Sequence, residues 1–221
     1  MIMIKKTSRS FYLSSIFLFI SFLLLPKQNI YSQTITWDGS EDISWSTAGN
    51  WDLNRIPTAS DEVIINVNET IVQINGQALA KQVLVSSGSI WITSTGALTT
   101  DELKLSTGAG LGGGGTLNGN LIAEDLSTIT PYDILVENQI PVITPDTLTI
   151  NGNFSNDTSI LNILVNNISD HSAVMVSGQT TLNSFLIIAE SATYAPSFND
   201  EINFILGDIA IQDTFVFSGP E

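Results

Sequence analysis

The feature that most limits the fold is a spacing. Val63 and Ile65 are followed 20 residues later by Val83 and Val85, and 20 after that by Leu103 and Leu105. A second series, offset from the first, runs Val72, Ile92 and Leu111 at steps of 20 and 19. The first series sits in short alternating runs: EVIIN (62–66), QVLVS (82–86) and ELKLS (102–106). Alternation at a period of two sends one set of side chains inward and the other outward on a strand. Beyond the N-terminus no window carries an apolar stripe at helical spacing. The expected class is all-β. A β-sandwich also spaces its strands regularly and stands as the alternative. Two series kept in step at one repeat length point to a right-handed parallel β-helix, a β-solenoid whose turns stack equivalent residues.

A second repeat lies downstream. TLNGNL (116–121) recurs as TINGNF (149–154) at an offset of 33, and in weaker form as TLNSFL (181–186) at 32. The longer spacing implies extra loop, and the acidic, Pro-containing stretch 123–146 is the expected insertion. The Gly-rich run 108–120 reads as a corner. The expected layout is a signal peptide over 1–32, a Trp-rich cap segment over 33–60 and a β-helix over 61–221. The strand-like ending TFVFSG lacks a closing segment, which leaves two readings open: a product secreted as it stands, or the front part of something larger.

The N-terminus has the three parts of a secretory leader. Lys5, Lys6 and Arg9 precede an apolar run over 11–25, and Pro26 ends it. The run is short of the roughly 20 residues that span a bilayer. Cleavage is expected near Ser32 or Gln33, leaving no membrane insertion. Four of the seven basic residues lie in this leader. The rest of the chain keeps Arg55, Lys81 and Lys104 against 22 acidic residues, a net charge of −19. Such a surface repels phosphate backbones and excludes nucleic acid as a partner. Cysteine is absent, which removes disulfides, thiol catalysis and Cys-based zinc sites. The N-x-S/T sequons at Asn68, Asn153, Asn156 and Asn167 read as chance in an Asn- and Thr-rich chain.

Two stretches carry a family resemblance. Trp37-Asp38-Gly39, Trp45, Asn50-Trp51, Pro57, Asp61, Val63 and Ile65 resemble the W-x-G…W…NW…P…D-x-V-x-I opening of bacterial secreted β-helix proteins. The second half is similar to the autotransporter-like β-helix region that often follows. It is carried by Gly115 to Asn120, Thr144 to Phe154, Asp170 to Leu182, Phe204-Ile205-Leu206 and Asp213-Thr214-Phe215. Asp146 and Asp213 stand where that pattern has glycine, and Asn183-Ser184 where it has Asn-Gly. The resemblance implies a bacterial extracellular or surface-displayed β-helix with a passenger, adhesin or scaffold role.

Candidate chemistry is sparse. A lone His171 beside Asp170 lacks the strained nucleophile turn of a hydrolytic triad and reads as a turn residue. The carboxylate pairs Asp38/Asp42, Asp61/Glu62, Asp101/Glu102, Glu124/Asp125 and Asp200/Glu201 sit mostly at strand ends, where acids serve turns. Asp38, Asp42 and Asp52 are weak calcium candidates without a calcium-loop motif. Trp37, Trp45 and Trp51, with Pro57, are expected to be buried as an end cap. Together the three indoles would contribute at most of the order of 10 kcal/mol. Trp91 shares a face with Ser89 and Thr93 and is the candidate surface contact. The expected role is a structural or adhesive protein at or beyond the bacterial surface, without catalysis or cofactor, with surface glycan or other surface components as partners. The alternatives are a carbohydrate-active β-helix enzyme and a glycan-binding module, both for neutral polysaccharide.

Overall fold

A computed structural model describes residues 32–124, 126–137, 140–183, 186–190 and 203–211. The expected leader up to residue 31, Asp125, Ser184, the pair Asp200/Glu201 and the ending from Asp213 lie outside the described residues. What is described is all-β, apart from one 3-10 turn at Ala48–Asn50. No helix among the described residues is long and apolar enough to cross a membrane.

The strands pair in three parallel columns, which the chain visits in a fixed order. The first column stacks β1 (Thr34–Thr36) and the leading part of β2 (Glu62–Ile74) on the leading part of β4 (Gln82–Ile92). It continues through the trailing parts of β5 (Ala97–Leu105) and β7 (Thr116–Glu124). The registers are Ile35↔Val63, Val63↔Val83, Val83↔Leu103 and Leu103↔Leu121, and all five side chains are buried. The 20-residue series of the sequence is thus the register of real strand pairs.

The second column joins the trailing parts of β2 and β4 to β6 (Gly110–Gly112) and β8 (Thr128–Thr130). Here the expected pairing is wrong by two residues. Val72 lies beside Ile90, not Ile92, and Ile90 lies beside Leu111. The cause is the bend between the first two columns. In β2 the residues between Asn66 and Ile71 bulge, with Glu69 at a positive φ of 58°. The neighbouring bend in β4 is shorter and turns on Gly88 at φ 79°. A side chain there would collide with the Val67 carbonyl, so glycine lets the shorter bend nest inside the longer one.

The third column runs from β3 (Gln77–Leu79) through the leading parts of β5 and β7 to β11 (Thr147–Ile150) and β15 (Ala173–Asn183). The later strands return to the first two columns. β12 (Phe154–Asp157) lies between β7 and β15. β13 (Ile160–Asn167) lies between β8 and β16 (Leu186–Glu190). β17 (Ile205–Ile211) follows β15.

Extra chain leaves at one corner, between the second and third columns. The expected insertion is a hairpin of β9 (Tyr132–Glu137) and β10 (Ile140–Pro145), and β7 and β8 on either side of Asp125 keep their columns. One turn later β13 doubles back on β14 (Asp170–His171) at the same corner. Pairing of Thr116 with Thr149 and Leu121 with Phe154 realises the 33-residue repeat. The third copy is misread in the sequence: Thr149 pairs with Met175 and Phe154 with Thr180, an offset of 26. The true continuation of INGNF is VSGQT (176–180). Gly119, Gly152 and Gly178 stack at this bend, where a Cβ on Gly152 would meet the Gly119 carbonyl and one on Gly178 the Gly152 carbonyl. Asparagine amides brace the same bend. Asn151 Nδ2 donates to Asn118 Oδ1 at 2.8 Å, and Asn153 N to Asn120 Oδ1 at 2.9 Å. The inward faces of all three columns meet in one continuous apolar core.

Candidate functional site

The segment before β2 is short of regular structure but dense in specific bonds. Asn50 is buried and organises it. Its Oδ1 accepts the backbone N–H groups of Glu41 and Asp42, both at 2.9 Å, and its Nδ2 donates to Asp42 Oδ1 and the Ser44 carbonyl. Every polar atom of that amide is satisfied, so burial costs it little. The next residue, Trp51, lies at the centre of an indole cluster. Trp37 and Trp45 each meet it edge-on at 4.9 Å between ring centroids, at 81° and 71°. Trp51 Nε1 donates to the Trp45 carbonyl at 2.9 Å. All three indoles are at most 2% exposed, and Pro57 is buried beside them in sequence.

This segment lies along β2 at two places. Thr34 to Thr36 pair with Glu62 to Ile64, and the Trp37 N–H donates to the Ile64 carbonyl. Farther on, Ser44 bridges Gln73, with the Trp45 N–H bonded to the Gln73 carbonyl. A clasp fixes its end. Arg55 grips both oxygens of buried Asp61 at 2.7 and 2.8 Å, and Thr58 donates to the same carboxylate from backbone and hydroxyl. The Arg55 guanidinium, its strongest partner, holds the Asp61 carboxyl well below the usual carboxylate range.

The calcium candidates are not brought together. Among the described residues no group of three or more His, Cys, Asp or Glu side chains could hold a metal ion. Asp42 accepts from Ser44 N–H, Asn50 and Thr47, which lower its pKa. Asp52 accepts the Thr36 N–H, and Asp38 the Ser40 N–H. These acids shape the segment's turns.

Trp91 does face outward but is partly buried. Its ring lies on the backbone of Gly112, meets Tyr132 edge-on at 5.8 Å, and its Nε1 donates to Asp133 Oδ1 at 3.3 Å. Trp91 thus anchors the root of the β9–β10 hairpin. His171 sits in β14 opposite Val165, edge-on to Phe204 at 6.4 Å, with its Nδ1 buried and unpartnered.

The first column keeps an outer face that the sequence reading passed over. Its outward residues form two rows in register: Glu62, Gln82, Glu102, Asn120, and Ile64, Leu84, Lys104, Ile122. A shallow depression of about 270 Å³ lies over the first three members of each row, starting at Thr34 and reaching Lys104. Lys81 pairs with Glu62 at 3.1 Å and Lys104 with Glu124 at 2.8 Å. Lys81 also lowers the pKa of Glu62. The signal was present all along: the first three members of each row obey the same 20-residue spacing, shifted by one residue from the buried series.

A family described as a domain of unknown function (DUF8693) matches residues 36–124. The match opens at Thr36, ahead of the tryptophan cluster, and closes at Glu124, the end of β7. It therefore covers the tryptophan cluster and the regular turns and stops before the hairpin excursions. No curated protein and no solved structure matches the chain.

Proposed function

We propose that this is a secreted or surface-displayed bacterial protein built as a right-handed parallel β-helix, with a structural or adhesive role and no catalysis. One observation carries the architecture. The chain visits three columns of parallel strands in an unvarying order, with buried residues in register from turn to turn. A sandwich built from hairpins would pair its neighbours antiparallel. Parallel connections in one sheet are almost always right-handed, which sets the sense of the coil. The segment 33–60 is its cap. It occupies the edge of β2 and buries three indoles at that end, as the terminal unit of a stacked fold requires.

The role follows from what the surface offers. Arg55, Lys81 and Lys104 all pair with carboxylates, which suits display in solution more than capture of anions. Asp61, Glu62 and Glu124, three of the acids that could have served catalysis, hold those cations instead. The leader directs the chain out of the cytoplasm. Fractionation of a bacterial host expressing the full chain tests this. We expect the protein without its leader in the medium or open to external protease, and an intact leader with cytoplasmic retention refutes the reading. Incubation with a neutral glycan panel tests the second half: turnover of any glycan refutes the non-catalytic role.

A further inference from the structure

We propose that the outer face of the first column binds a neutral glycan chain in extended conformation, lying along the stacking direction. This rests on the surface-protein reading above and names its ligand class. Four observations converge. The face carries a polar row, Glu62, Gln82, Glu102 and Asn120, beside an aliphatic row, Ile64, Leu84, the stem of Lys104 and Ile122. Within each strand the two rows are two residues apart, so both point outward. Neighbouring strands lie about 4.8 Å apart, close to the advance of one pyranose unit in an extended β-linked chain. Each sugar would therefore pass one rung, within reach of a polar side chain and an aliphatic side chain or stem, with successive units of a two-fold chain presenting opposite edges.

The depression is present without rearrangement, about 270 Å³ over three rungs, with Gln82 and Leu84 exposed at its centre. The second column is less available, because Trp91 and Tyr132 seat the hairpin there. Charge selects among glycans. Lys81 and Lys104 answer Glu62 and Glu124, and Glu102 leaves the face with an excess of negative charge. A uronic-acid polymer would be repelled, and a neutral one would not. Aromatic platforms are absent from this strip, so recognition depends on repetition, and affinity should grow with chain length up to the three or four rungs available.

The test is isothermal titration of the full secreted chain with cellohexaose, xylohexaose and mannohexaose, and with hexagalacturonate as the anionic probe. We expect saturable binding of at least one neutral hexaose and none of hexagalacturonate. Gln82→Ala combined with Leu84→Ser should weaken it at least about fivefold, since each removes one contact class. Both positions are exposed, so the variant should keep the wild-type melting curve. Gln82→Ala alone serves as the second variant and should weaken binding at least about twofold. The proposal is overturned if no neutral hexaose binds saturably, if hexagalacturonate binds more tightly, or if both variants bind as wild type does. A chain that reaches the surface yet ignores all four sugars overturns this site alone. Retention in the cytoplasm overturns the surface reading instead.

Discussion

At the scale of single residues, the tightest constraints sit where a side chain has no alternative partner. Asp61 is the clearest. Its carboxyl is depressed by Arg55, so the folded state favours the ionised form more than the unfolded chain does. That stabilisation is complete at neutral pH and is lost as the pH falls below about 4, toward the folded-state value. Asp61→Asn should cost about 2 kcal/mol at pH 7, the gap narrowing in acid. Melting curves between pH 7 and pH 2 would show wild type falling toward the variant. Trp51 is the second such residue: Trp51→Ala removes the centre of the indole cluster and should cost about 3–5 kcal/mol by denaturant titration. Gly152 is the third. Gly152→Ala drives a methyl group into the Gly119 carbonyl and should cost about 1–3 kcal/mol.

At the scale of strands and bends, the inward series at Val63, Val83 and Leu103 was legible because both residues and spacing repeat. Burial requires an apolar side chain at each of those positions, and the strand period fixes its neighbours. The partner of Val72 was not legible. It depends on how many residues a bend uses, and the bend at Gly88 uses fewer than the one at Glu69. Residue type at a solvent-facing bend is only weakly constrained, so the count leaves no periodic trace. The misassigned third repeat has a similar origin. TLNSFL copies the letters of TLNGNL, but the close-packed glycine of the next turn is Gly178, and it fixes the register six residues earlier. The chain lacks cysteine, which makes the registers directly testable. Thr116→Cys with Thr149→Cys should cross-link under oxidation, since paired residues of neighbouring strands lie about 4.8 Å apart, within the Cα–Cα range a disulfide spans. Thr149→Cys with Thr181→Cys, the pairing the letters suggest, should not. Val83→Asp should unfold the chain, because it places an unpaired charge between stacked strands.

At the scale of the whole chain, the order of columns stays fixed while turn length varies. Successive residues of the first column lie 20, 20, 18, 33 and 26 apart from Val63 to Thr180. The surplus emerges at the corner between the second and third columns, as the β9–β10 hairpin and the β13–β14 return. The burial of the three tryptophans was readable from their position ahead of the first regular turn. The segment's bonding was not, because Asn50 and Asp42 work through backbone contacts that no spacing announces. Removal of residues 33–60 should expose the edge of β2 and cause self-association, seen as a rise in mass by light scattering.

The indole clasp also bears on how the molecule would carry load. Strands stacked in parallel columns bond only to the turn on either side, so a pull applied at the N-terminal end cannot be shared by the whole length at once. Tension would reach β1 first, and β1 is tied by Trp37, Trp51 and the Arg55 grip to chain on both sides of the first break. Once that knot opened, later turns would come away singly, each of the regular ones releasing roughly 60 Å of chain. A fold of this kind would yield in small steps only after that knot of tryptophan and Arg55 contacts had opened.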